Sequence, residues 1–304
     1  MGKTIIPVAL FAYARPAHLE KTLEGLRRNK VPLIYAFSDG PADKTKVKKV
    51  KEVRQLLKKI NWAKIIIKEW DSNLGLGISI RAGVSEVLNK HEKIIIVEDD
   101  IVLRPGAYNY VCKALDYYEN SENVMSISMW SFPTLKPKDC YDGFFSERFV
   151  CWGWGTYRKY WEYYDKDPEK LFYEAIQKRK DLLNWGKDIR VQALNAKKYN
   201  VWYIGYALIH FIYNKLSYFP AETLVINIGR NEQATHTKKG ISDNFEIINR
   251  PVSLPRKWPD VVIKKNTANK FRNYFDFENK NMITRFFIKI YKFNGKVIFK
   301  IFNK

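Results

Sequence analysis

The first hundred residues predict an α/β protein with a mainly parallel sheet and helices on both faces. Strand-like and helix-like stretches alternate four times over that span, the pattern of parallel strands joined by helical crossovers. The best-defined strand, Ile94 to Val97, is an unbroken apolar run, as in a strand covered on both faces. The polar residues with chemistry to offer follow directly after the strands, at the carboxyl ends where such sheets hold ligands.

Ile5 to Tyr13 is apolar and β-prone. Arg15-Pro16 ends it, and His18 to Arg28 carries Leu19, Leu23 and Leu26 at helical spacing. Leu33 to Phe37 is a second apolar run, closed by Ser38-Asp39-Gly40-Pro41. A basic helix follows from Lys44 to Lys59, with Val47, Val50, Val53, Leu56 and Leu57 on one side. Lys64 to Lys68 gives a third strand, Asn73 to Gly77 a glycine loop, Ile78 to Leu88 a helix, and Ile94 to Val97 a fourth strand. After Pro105 the pattern predicts a helix to about Tyr118 and a strand at Val124 to Met129. Mixed sheet and loops follow in the aromatic, glycine-rich stretch Trp130 to Trp161. A helical stretch containing Trp185 and Asp188 runs to about Lys198, an apolar run spans Val201 to Tyr213, and Ala221 to Gly229 follows. Gly229 to Gly240, polar and without periodicity, reads as a mobile loop.

The stretch Lys93 to Arg104 organises the rest. Four apolar β-formers lead into Glu98, Asp99 and Asp100, three adjoining carboxylates that repel one another unless a cation binds there. The commoner reading of such a triplet is a solvated loop. Against it stands the convergence of Arg15, Asp39 and the Gly75/Gly77 loop on the same sheet edge. Mn²⁺ or Mg²⁺ carrying a nucleotide diphosphate meets the demand of these acids, and one carboxylate suffices because the cation also takes phosphate and water. Asp100 is the expected metal ligand, with Glu98 and Asp99 directed at the donor's ribose or sugar. Arg15 suits a phosphate or base edge, Asp39 a ring N–H, and Arg81 belongs with the donor-binding residues.

Composition sets outer limits. The chain has 304 residues, 46% hydrophobic, without low-complexity segments, so it can bury one large core or two modest ones. Its 53 Lys and Arg against 32 Asp and Glu give a formal charge of +21 and point to anionic partners. Cys112, Cys140 and Cys151 are odd in number and lack CxxC spacing, which argues against a disulfide framework or zinc site and for a reducing compartment. The N-terminal apolar run is too short, and too soon broken by Arg15-Pro16, for a signal peptide or a membrane span.

The run LFAYARPAHLEKTLEGL, then FSDG, IIIVEDDIVLRPG, ERFVCWGWGTYRKYW, NWGKD and NIGRNEQATHT resembles the nucleotide-diphospho-sugar transferases of the GT-A fold. It is most similar to the inverting N-acetylglucosaminyltransferase I family and its bacterial relatives, over about Ile5 to Thr237. The resemblance implies a Rossmann-like three-layer α/β/α sandwich. It places a catalytic domain at 1–250, with a donor half at about 1–130, an acceptor half at about 131–250, and an extension at 251–304. It implies Asp100 as Mn²⁺ ligand, Glu98 and Asp99 as donor contacts, and Arg15 and Asp39 on the nucleotide. Gly153 and Trp154 of the glycine-tryptophan turn line the sugar pocket, joined by Trp130 and Trp185. Arg230 and His236 lie in a loop that closes over the donor, where they supply positive charge or a metal contact. An inverting transfer needs a base near the acceptor hydroxyl. Asp188 is the candidate, although the family's acid lies closer to its tryptophan; Asp181 and Glu147 compete.

From Met282 to Lys304 the cations Arg285, Lys289, Lys292, Lys296, Lys300 and Lys304 recur every three or four residues. On a helix they share an arc of about 120°, opposite Ile, Phe, Val and Tyr. This predicts a basic amphipathic helix on an anionic membrane surface, with a terminal helix packed on the core or a nucleic-acid arm as alternatives; Gly295 weakens the helix. The sequence therefore reads as an inverting, metal-dependent glycosyltransferase on the cytoplasmic face of an inner membrane. It would move a sugar from a UDP-sugar, UDP-GlcNAc being one candidate, to a lipopolysaccharide, capsule or lipid-linked acceptor. The rivals are a sugar-nucleotide nucleotidyltransferase and a basic nucleic-acid-binding protein. The first lacks its glycine-rich phosphate loop at Ala12 to Pro16, and the second lacks a motif, so no nucleic acid is expected.

Overall fold

The computed structural model describes residues 5–131, 142–162, 168–178, 187–196, 202–229 and 248–264, and the backbone of 286–293 and 296–303. Four parallel strands, β1 (Val8–Ala12), β2 (Leu33–Ser38), β3 (Lys64–Glu69) and β4 (Lys93–Glu98), form one half of an eight-stranded sheet. They are linked by α1 (Pro16–Arg28), α2 (Val47–Lys58) and α3 (Leu76–Leu88). Order β3-β2-β1-β4 means that the first two crossovers step one way and the third steps back. With right-handed crossovers, α1 and α2 cover one face and α3 the other. The expected α/β layering is present. β1 and β2 are buried at every position, and β4 at all but Glu98, as their unbroken apolar runs require.

After β4 the chain makes a two-residue turn at Asp99-Asp100 and enters β5 (Ile101–Leu103), a strand the sequence reading missed. Then come α4 (Ala107–Tyr117) and β6 (Val124–Ser128). The aromatic stretch contributes β7 (Phe144–Ser146) and β8 (Trp154–Tyr157). β8 inserts antiparallel between β4 and β6 and makes the sheet mixed, as expected there. The helices α5 (Arg158–Trp161), α6 (Pro168–Lys178), α7 (Lys187–Leu194) and α8 (Tyr203–Ile212) follow, then β9 (Leu216–Phe219) and β10 (Val225–Asn227). The apolar run at 201–213 is thus the buried helix α8. β10 pairs antiparallel with β5, in the register Val225↔Leu103 to Asn227↔Ile101.

Two expectations are corrected. The boundary drawn at 250 falls inside a packed stretch: Val252 N–H donates to the Pro105 carbonyl at 2.9 Å, Tyr118 OH to the Pro259 carbonyl at 2.8 Å, and the Trp258 ring lies 5.7 Å from Tyr117. Residues 251–264 therefore belong to the α4 side of the domain. The C-terminal helix is not found either: β11 (Phe286–Phe293) and β12 (Lys296–Asn303) form an antiparallel hairpin with Phe293 opposite Lys296. The reason lies in the composition. Asn294-Gly295 is the dipeptide preferred for two-residue hairpins, the flanks are β-branched and aromatic, and the four-residue spacing of Lys296 and Lys300 satisfies a period of two as well as 3.6, while Lys289 and Lys292 fall on opposite faces of β11. Among the described residues, no helix is long and apolar enough to cross a membrane.

Candidate active site at the acid turn

The acid turn is held from both sides. β1 and β4 run parallel with Phe11 opposite Glu98, so the β1–α1 turn and the acids emerge together. Tyr13 N–H donates to the Asp99 carboxylate at 3.1 Å, and the Thr22 hydroxyl donates to the Asp99 carbonyl at 2.9 Å. Arg15 Nη1 donates to Asp100 Oδ2 at 2.7 Å. From the other side, Ile228 N–H donates to the Asp100 carbonyl at 2.9 Å. Gly229 lies so close that a Cβ there would stand 2.0 Å from Asp100 Oδ2, so any side chain at this position would drive the Asp100 carboxylate from its place. His18, in the first turn of α1, bonds the Ile228 carbonyl and feels both Arg15 and Asp100.

These contacts set the electrostatics. Burial first, then Asp100 and Asp99, push the Glu98 carboxyl well above the ordinary carboxylate range. Burial and Asp100 push Asp99 up to about 7, against the pull of Arg15. Burial and Arg15 lower the imidazole of His18. Burial and the charges of Glu98 and Asp100 raise the Cys151 thiol well above its usual value, so it stays protonated. Carboxyls pushed upward by burial and by one another are relieved by a cation, and hard carboxylate oxygens suit Mg²⁺ or Mn²⁺. Among the described residues no three His, Cys, Asp or Glu side chains converge on one point. A divalent ion held by Asp100 would therefore complete its shell with phosphate and water.

Asp39 has a different task from the one expected. Its Oδ1 accepts from the N–H groups of Gly40 (3.0 Å) and Leu74 (2.8 Å); its Oδ2 accepts from Gly75 N–H (3.0 Å) and Asn73 Nδ2 (3.1 Å). A carboxylate offers about four lone-pair positions, so none is spare for a nucleotide. Asp39 instead ties the β2–α2 and β3–α3 loops together. Arg81 is exposed on α3.

On the acceptor side, Gly153 (φ +73°) lies against Ile101 and Met129, directly behind the acid turn. Trp154 does not line the expected sugar pocket. It is fully buried in the sheet, with Phe149 at 4.9 Å and Trp202 stacked at 6.1 Å, because β8 runs between β4 and β6 and is buried at every position. Trp130 is buried too, and the half-buried ring on this side is Trp152, edge-on to Trp130 at 4.9 Å. Asp188 opens α7 and is gripped by Arg148, which donates from Nη1 to Oδ1 at 3.0 Å and from Nη2 to Oδ2. Both side chains are buried. Burial, with Asp188 and Cys151 adding and Arg148 opposing, raises the Tyr203 hydroxyl well above its ordinary value. Glu147 is half-buried. Arg230, His236, Trp185 and Asp181 lie outside the described residues.

Sequence reasoning missed Arg104, His18 and Arg148. Arg104, fully buried, donates to the carbonyls of Arg250 (3.0 Å) and Thr223 and clamps the segments before β10 and after 249 onto β5. The signal available was an arginine embedded in the apolar run VLRP, which must find polar partners once buried.

No protein-family model and no curated protein matches the chain. Solved structures similar to it include the mannosyltransferase PcManGT from Pyrobaculum calidifontis in complex with GDP-Man and Mn²⁺, at 14% identity over 51% of this chain and 45% of that one, with a TM-score of 0.37. Another is a candidate glucose-1-phosphate thymidylyltransferase from Bacillus anthracis with sucrose, at 8% identity over 53% of this chain and 75% of that one, TM-score 0.32. HddC from Yersinia pseudotuberculosis is similar at 14% identity over 51% and 77%, TM-score 0.32. The likeness thus takes in about half of this chain, and less than half the length of the mannosyltransferase.

Proposed function

We propose that the chain is a metal-dependent glycosyltransferase that moves a sugar, with inversion, from a nucleotide-diphosphate donor to a glycan or lipid-linked hydroxyl. The observation that carries the reading is the convergence on Asp100. A carboxylate at a parallel-strand end is capped by Arg15, flanked by His18, and approached by a side-chain-free backbone at Gly229. A divalent ion bound there supplies Lewis-acid polarisation of the leaving diphosphate. Arg15, relieved of Asp100, turns its guanidinium to a phosphate, for which its planar fork is suited. Asp188, whose two carboxylate oxygens accept from Arg148, is the acceptor-side base whose orientation is set in advance.

Nucleotidyl transfer fits less well. The β1–α1 turn has no glycine and spends the Tyr13 N–H on Asp99 instead of leaving it open to phosphate. Thermal stabilisation by UDP-, GDP- and CMP-sugars with Mn²⁺ tests the proposal. One donor should raise the melting temperature, and Asp100→Ala should abolish that shift. Turnover should release a nucleoside diphosphate; release of pyrophosphate would overturn the reading.

A further inference from the structure

The strand-end loops carry a second surface that the proposed chemistry does not use. Between Lys44 and Lys59 stand eight cations and one acid, so this short stretch holds +7 of the chain's formal +21. On α2, Val50, Val53 and Leu57 turn inward. Lys48, Lys51, Lys58 and Lys59 are all exposed and share about 100° of arc. Lys48, Lys49 and Lys51 have no carboxylate partner among the described residues; Lys58 and Arg54 share Glu69. The neighbouring α1 differs, since Glu24 balances Arg27 and Arg28 there.

Beside this ridge runs a groove of about 410 Å³ lined by Pro41, Val47, Lys51, Arg54, Lys58 and Glu69. At the same sheet edge, where α2 and α3 begin, large aliphatic side chains stand in water: Val47 is 50% exposed, Leu76 39% and Ile78 59%. Cations on α2, with Val47 at its leading end and further aliphatic side chains at the start of α3 on the same sheet edge, match a phospholipid interface, in which charge meets headgroups and short apolar groups enter the acyl boundary. A nucleic-acid face would call for exposed aromatic rings to stack bases, and the large apolar side chains exposed at this edge are all aliphatic.

We propose that the exposed face of α2, with the groove beside it, Val47 at its leading end and Leu76 and Ile78 at the start of α3 on the same sheet edge, docks on an anionic phospholipid membrane. This surface would turn the sheet edge that bears Asp100 towards the bilayer. The inference does not depend on the transferase reading, because binding is measured without nucleotide or metal.

The test is flotation of the full chain with phosphatidylcholine vesicles, with and without 30% phosphatidylglycerol. Binding should require the anionic lipid and weaken with salt. Each cation near such a leaflet contributes a factor of about five, so Lys48→Gln/Lys51→Gln/Lys58→Gln together should cut the partition coefficient roughly 100-fold. Val47→Ser/Ile78→Ser should reduce it several-fold with the charge unchanged. Helical content should stay at the wild-type value in both variants, since every substituted side chain is exposed. The triple variant should keep its donor-dependent thermal shift, and Asp100→Ala should keep its vesicle binding. Wild-type vesicle binding by the triple variant would overturn the proposal. So would tighter binding of a single-stranded 30-mer than of the anionic vesicles, lost with the same three lysines.

Discussion

Replacing Asp39 separates a structural carboxylate from a ligand-binding one. Four N–H donors from two loops end on its two oxygens, and the residue itself is only 6% exposed. Each hydrogen bond to a charged group is worth about 1.5–3 kcal/mol when its loss leaves a buried donor unmet. Asn73 is exposed, and Leu74 and Gly75 are half-buried, so water recovers part of the loss. Asp39→Ala should therefore cost about 3–4 kcal/mol. Asp39→Asn keeps one acceptor but sets an amide nitrogen against the two donors now served by the other oxygen, and should cost about 2 kcal/mol. At roughly 2–4 °C per kcal/mol for a domain of this size, the alanine variant should melt about 6–16 °C below wild type, with no ligand present. Thermal unfolding followed by circular dichroism measures this directly. If both variants melt as wild type does but lose nucleotide affinity, the assignment is refuted and Asp39 is a donor contact after all.

Three further outcomes follow from the same geometry. Gly229→Ala puts a methyl group where Asp100 Oδ2 now stands, so Mn²⁺-dependent donor binding by calorimetry should weaken at least tenfold while the melting temperature moves by only a few degrees. His210 is fully buried, hydrogen-bonded to Ser126 Oγ at 2.8 Å, and lowered by burial to about 4. Between that value and the ordinary 6.5 the unfolded chain binds a proton that the native state refuses, so this residue's contribution falls as pH drops through the window. The penalty of His210→Gln in urea melts should accordingly shrink by about 3 kcal/mol from pH 7.5 to pH 4, and a penalty independent of pH would contradict the buried neutral ring. Arg148→Met should cost about 3–5 kcal/mol by stranding buried Asp188, and Arg148→Met/Asp188→Leu should regain most of it. Normal turnover by the folded double variant would remove Asp188 as the base.

What could be read from the sequence was whatever rests on local pattern. Apolar runs such as Ile94 to Val97 fix the parallel strands, and the Val50, Val53, Leu57 stripe fixes the inward face of α2. Adjacent acids announce their own repulsion, so Glu98 to Asp100 stood out without any partner in view. What could not be read depends on pairs distant in the chain. Nothing near Asp39 says that Leu74 and Gly75 will cap it, and nothing near Asp188 names Arg148, 40 positions away. The Trp152-Gly153-Trp154 run shows the ambiguity at its smallest. Trp154 opens β8 and is buried in the core, whereas Trp152, two residues earlier and ahead of the strand, is half-buried, and only the point at which β8 enters between β4 and β6 decides which tryptophan is which. The C-terminal stretch failed for the opposite reason: a lysine every three or four residues reads as a helical arc, while the hairpin dipeptide Asn-Gly in the sequence and the β-branched and aromatic flanks favour the paired strands that place Phe293 opposite Lys296.

The division into donor and acceptor halves also takes a different meaning. The acid turn comes from the first half, yet Ile228, Gly229 and the β10 pairing that shape it come from the second. Arg104 holds them together, because it lies in β5's own continuation and ends on the carbonyls of Thr223 and Arg250. An arginine at this position is fully buried, so it stays only while those carbonyls stay, and the approach of Gly229 to Asp100 is coupled to that clamp. The donor half is consequently not a module that makes its site alone. A chain cut before 222 would keep its parallel sheet but lose the backbone that crowds Asp100, and with it the geometry on which the proposed cation site depends.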